Sequence, residues 1–135
     1  MKLHILYFAF VMATFGLFIT SCDNTEEPEV NSISVSIASP LNAASISACA
    51  DLHVHVDVIA TVENHTFEVR LSPDDNSEER LIDFSVHDHN RELIYVEDID
   101  LCAYPSGTCF TLEATACVDH LCENIESAQA QFCLD

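Results

Sequence analysis

Six histidines beyond residue 22 offer the most direct route to chemistry: His53, His55, His65, His87, His89 and His120. Four of them form two His-x-His pairs, His53/His55 and His87/His89. On a β-strand, residues two apart share a face with Cα atoms roughly 6.5–7 Å apart, so each pair can offer two imidazoles to one ion. Asp57 continues the first face and Asp83 the second. Neutral imidazole beside carboxylate suits zinc, copper or nickel. The expected ligand set is therefore His53, His55, His87 and His89, with zinc or copper as the ion. His65 and His120 fall in loops. Two other readings stand beside this one. Both pairs lie on the outward, polar side of their strands, where solvated surface histidines need no ligand and no cofactor follows; that reading ranks first. Histidine's pKa near 6.5 also allows pH sensing. A shared site carries a geometric condition. If the two strands share a sheet with one strand between them, they stand about 9.6 Å apart, and a central side chain such as Glu92 or Glu97 has to help.

Other chemistries are excluded more simply. Gly107 is the only glycine after residue 22, whereas phosphate-cradling loops and dinucleotide fingerprints need several. There is no Gly-x-Ser-x-Gly elbow. The acidic turn from Pro73 to Glu79 supplies oxygen ligands but lacks the Asp-x-Asp-x-Asp-Gly framework of a calcium loop. Asn64-His65-Thr66 matches a glycosylation sequon. No nucleophile–base pair can be named, so the chain is expected not to be an enzyme. Beyond residue 22 there are three arginines against 23 acidic residues, a formal charge of −20. Such a surface keeps the chain soluble and repels nucleic acid, which is not an expected partner.

The first 21 residues have a different character. Lys2 provides a positive start, and an apolar run from Ile5 to Ile19 follows, the pattern of a secretory signal. A membrane span needs roughly 20 apolar residues, and this run is shorter. It ends in Ile19-Thr20-Ser21-Cys22, which resembles the lipobox of bacterial lipoproteins. In that family the cysteine thiol receives a diacylglycerol, the signal is cut before it, and the new amine is acylated. The resemblance implies lipidation at Cys22 and a membrane partner through the lipid anchor. It places the protein in the cell envelope of a Gram-negative bacterium, at the outer membrane or cell surface. Cysteine counting agrees: of seven cysteines, setting Cys22 aside leaves six, an even number that suits three disulfides in an exported domain. Residues 22–31 are polar, acidic and broken by Pro28, as expected of a disordered tether.

From residue 32 to 135 the apolar period is two rather than 3.6. Ile33, Val35 and Ile37 alternate with serines, and Leu52, Val54, Val56 and Val58 alternate with His53, His55 and Asp57. Similar runs occur at Phe67–Leu71, Ile82–Val86, Phe110–Val118 and Ala128–Leu134. Between Glu92 and Leu101 the phase is interrupted at Glu97, where a bulge or a change of face is expected. Seven short strands separated by Pro, Asn and Gly turns predict an antiparallel β-sandwich forming one domain.

This layout resembles the immunoglobulin-like domains of bacterial surface lipoproteins. The likeness spans Val35 to Leu134 and is clearest in Tyr104-Pro105-Ser106-Gly107-Thr108-Cys109-Phe110-Thr111-Leu112 and in the Asp119…Asn124 turn. Glu123 stands where many of those domains have glycine, and the tryptophan and core disulfide of antibody domains are missing, so antibody kinship is not implied. An immunoglobulin-like strand order implies that Cys49, Cys102, Cys109 and Cys133 gather at one pole, paired as Cys102–Cys109 and Cys49–Cys133. Cys117 and Cys122 would bracket the opposite hairpin and bond each other. Six cysteines allow 15 pairings, so the connectivity stays open. The first expected function is a non-catalytic interaction or structural module with an unidentified protein or glycan partner. The alternative is transition-metal binding through the histidine pairs.

Overall fold

A computed structural model describes residues 29–75 and 78–135. Cys22, the lipobox and most of the tether lie outside the described residues. Eight strands follow in order: β1 (Ile33–Ser39), β2 (Ala44–Ile46), β3 (Asp51–Ala60), β4 (Thr66–Pro73), β5 (Ile82–His87), β6 (Glu92–Asp100), β7 (Cys109–Cys117) and β8 (Ile125–Leu134). They form a sandwich of two sheets, one ordered β1-β3-β6 and the other β2-β8-β7-β4-β5. No helix occurs among the described residues.

The alternation seen in the sequence maps directly onto burial. Leu52, Val54, Val56 and Val58 of β3 are buried, while His53 is exposed and His55 and Asp57 are half-exposed. Phe67, Val69 and Leu71 of β4, Phe110, Leu112 and Ala114 of β7, and Phe132 and Leu134 of β8 complete one core between the sheets. Each large side chain buried there contributes about 1.5–3 kcal/mol. Three disulfides staple the sandwich.

Four expectations need correction. There are eight strands, because β2, only three residues long, adds to the five-stranded sheet. It pairs in parallel with β8, so the sandwich is not wholly antiparallel. The segment from Glu92 contains no bulge: β6 pairs β3 in unbroken register from Ile59↔Glu92 to Asp51↔Asp100. Glu97 keeps its phase but remains exposed, and its carboxylate accepts a hydrogen bond from the Tyr95 hydroxyl. The irregularity lies instead in β1, between Ile37 and Ser39.

The fourth correction concerns the cysteines. The bridges are Cys49–Cys102, Cys109–Cys133 and Cys117–Cys122, not Cys102–Cys109 and Cys49–Cys133. Strand register explains the difference. Cys109 and Cys133 stand directly opposite each other on β7 and β8. Cys49 and Cys102 sit two residues beyond the Asp51↔Asp100 pair, in the turns that flank β3 and β6, and meet there. One bridge therefore joins paired residues of β7 and β8, and the other joins the turns flanking the paired strands β3 and β6.

Candidate metal centre

Register in the five-stranded sheet determines which side chains meet at one pole. Thr66 at the start of β4 pairs with His87 at the end of β5 and with Cys117 at the end of β7. Residues just outside those ends must therefore converge: His65 before β4, His89 after β5 and His120 after β7. Backbone hydrogen bonds hold the junction. The His65 amide donates to the Cys117 carbonyl at 2.8 Å, and the Asp88 amide donates to the His65 carbonyl at 3.1 Å. The Asn64 amide donates to the Asn90 carbonyl at 3.3 Å. Asp88 shapes the turn between His87 and His89 by accepting the Asn90 amide on Oδ1 at 2.7 Å.

The result is a histidine cluster. His65, His87 and His89 each place a ring nitrogen so that all three lie within 4.8 Å of one another. The Nε2 atoms of His87 and His89 stand 3.1 Å apart. Around a tetrahedral zinc with Zn–N bonds of 2.0–2.1 Å, ligand nitrogens sit about 3.3 Å apart. The existing spacing thus needs a contraction of about 1.5 Å at most, within reach of rotamer changes in the exposed His87 and His89. The ring of His120 lies 4.3 Å from that of His65. On the far side of His89, Nδ1 stands 3.5 Å from Glu63 Oε2. A carboxylate on one ring nitrogen with the other turned inward is the arrangement that orients metal-binding histidines.

Electrostatics prepare the same atoms. His65 is buried, only 7 % exposed. Burial, and then the neighbouring His87, His120 and His89, hold its imidazole below the usual pKa, against the opposing pull of Asp119. His65 is therefore neutral at pH 7 and offers a lone pair. Asp119 is held below the usual carboxylate range by backbone amides of Glu123 and Asn124, with further bonds from the Asn124 side chain and the Leu121 amide. Its charge, with Glu63 and the strongly acidic surface, favours a cation at this pole. All six cysteines beyond residue 22 are oxidised, so the donors available are imidazole and carboxylate. That donor set suits zinc or copper(II). Asn64 is fully buried beside His65, and its side-chain amide has no hydrogen-bond partner among the described residues.

The expected four-ligand site is not formed. His53 and His55 lie on β3 in the three-stranded sheet, whereas His87 ends β5 in the other sheet. No strand separates the pairs within a sheet, because they share none. Instead His53 Nδ1 meets Asp98 Oδ1 at 2.7 Å across the β3–β6 ladder, and His55 Nε2 meets Asp57 Oδ1 at 3.0 Å along the strand. These are largely solvated contacts of the kind that contribute about 0–1 kcal/mol. The His87/His89 half survives, joined by His65 and approached by His120. Both lie outside the strands, as the sequence predicts. The only sequence signal that could have recruited them is their place immediately outside strand ends, and it becomes useful only once the order β7-β4-β5 is known.

Comparison with protein-family models gives no match, and neither does comparison with curated proteins.

Proposed function

We propose that this chain is an exported, lipid-anchored module that binds a transition-metal ion, zinc or copper(II), at the pole formed by His65, His87 and His89. The observation that carries the reading is the convergence of three imidazole nitrogens within 4.8 Å, contributed by three chain positions and two strand ends. The buried, neutral His65 forms the floor, and the exposed His87 and His89 leave the ion a route from solvent. Binding rather than catalysis fits this exposure, since His89 is about half exposed and a reaction centre gains from excluding water. The lipobox-like Ile19-Thr20-Ser21-Cys22 supports the anchor. Asn31 donates from Nδ2 to the Glu63 carbonyl at 2.7 Å, so the tether joins the domain at the metal pole. Residues 22–31 span at most about 33 Å fully extended, which keeps that pole close to the membrane. Calorimetry with zinc chloride at neutral pH tests the reading. One site per chain with micromolar affinity or better is expected, and the absence of any binding beyond what calcium gives would overturn it.

A second reading, an interaction module, draws on the outer face of the three-stranded sheet. There Ile59, Ile94 and Val96 stay exposed on β3 and β6, and Ile94 is 67 % exposed. Apolar side chains grouped on one face mark an association surface. Ile94→Lys should leave folding and metal binding unchanged while reducing crosslinks to envelope partners in cells. Unchanged crosslinks would remove this reading.

A further inference from the structure

We propose that His120 is the fourth ligand of the same centre, and that the Cys117–Cys122 bridge sets metal affinity by holding the loop that carries it. This inference rests on the metal reading above and specifies both the coordination and its control. The His120 ring lies 4.3 Å from that of His65, closer than the 5.4 Å between His65 and His89, and His89 already belongs to the three-nitrogen group. His120 is exposed, so its side chain can turn toward the group while the backbone stays in place. Imidazoles from His65, His87, His89 and His120 would then supply four nitrogens and close a tetrahedral site, leaving no position for a reactive water. Closure of that kind suits storage or capture of the ion.

The loop is built to keep His120 in place. It is closed by the disulfide between Cys117, the last residue of β7, and Cys122. Asp119, inside it, accepts the amides of Leu121 at 3.0 Å and, from just beyond the bridge, of Glu123 at 3.0 Å and Asn124 at 3.1 Å. The Asn124 side chain adds a fourth bond to Asp119 at 3.2 Å. Cys122 adopts a positive φ of 48°, a conformation maintained by these closures. A ligand held in one place loses less freedom on binding, so replacing Cys117 and Cys122 with residues that cannot bridge or ligate should weaken the metal while keeping all four imidazoles.

The test uses the full chain in detergent, with zinc chloride followed by calorimetry and cobalt(II) chloride by visible absorption. His120→Ala should weaken zinc at least tenfold and change the tetrahedral cobalt spectrum. Leu121→Ala, on the same loop, should do neither. Cys117→Ala/Cys122→Ser should weaken zinc by a similar factor, and combining it with His120→Ala should add little, because both act through one ligand. If the bridge-free variant does not fold, His120→Ala against Leu121→Ala carries the test alone. A His120→Ala chain with wild-type affinity and an unchanged cobalt spectrum would overturn the inference while leaving the three-histidine reading intact. A wild-type chain that binds neither ion would overturn both.

Discussion

Replacing His87 with alanine separates the two histidine groups in a single thermal experiment. His87 is exposed at the end of β5, and without metal its loss should change stability by no more than about 0.5 kcal/mol. With zinc at a hundredfold excess over Kd, binding should stabilise the wild-type domain by about 2.7 kcal/mol. For a domain of this size, about 4 °C of melting temperature accompanies each kcal/mol, so zinc should raise it by about 10 °C. Removing the His87 ligand should weaken binding about a hundredfold. At the same zinc concentration the stabilisation falls to about 0.4 kcal/mol, or about 2 °C. His53→Ala and His55→Ala should retain the full shift, because those residues pair with Asp98 and Asp57 in the other sheet. Differential scanning calorimetry with and without zinc reads all three variants. A full zinc shift in His87→Ala, or a lost shift in His53→Ala, would refute the assignment of the site to the β4–β5–β7 pole.

Other outcomes follow from the same structure and sequence. Cys22→Ser should leave the precursor uncleaved or free the chain from membranes, and an intact mass for the wild type without acyl chains would contradict lipidation. Non-reducing peptide mapping should recover Cys49–Cys102, Cys109–Cys133 and Cys117–Cys122. Removing Cys109–Cys133 should cost about 2–4 kcal/mol in denaturant unfolding, and a cost near zero would mean the bridge constrains little. Because His65 has a lowered pKa, the unfolded chain takes up a proton near 6.5 before the folded one does. The metal-free domain should therefore have its full stability above pH 6.5 and lose some as pH falls below it. The loss between pH 7.5 and 5.5 should be smaller in His65→Gln, and identical wild-type and variant pH profiles would refute the role given to burial of His65.

Much of the fold was legible because half-buried strands imprint their two faces on the sequence. Leu52 to Val58 and Phe67 to Leu71 alternate without interruption, and both became core strands. Ala44–Ile46 was missed because three residues are too few to show a period, and because its parallel pairing with β8 needs no turn signal. Glu97 misled because an acidic residue in the inward phase looks like a defect, whereas at the open edge of a sheet it stays solvated and bonds Tyr95. The disulfides needed register, which local pattern does not carry. Cys109 and Cys133 become partners only when β7 and β8 are aligned. The site failed for a related reason. His-x-His spacing is visible along one strand, but the donors that join His87 and His89 come from the ends of other strands. His53 and His55 belong to β3 of the other sheet, which no spacing along the chain reveals.

The central claim is that one transition-metal ion sits at the pole where β4 begins and β5 and β7 end. Crystals grown with zinc and measured at the zinc absorption edge test it directly. The account predicts one strong anomalous peak per chain, bonded at about 2.0–2.1 Å to ring nitrogens of His65, His87 and His89. A peak at His53 and His55, or density confined to surface carboxylates, would contradict it.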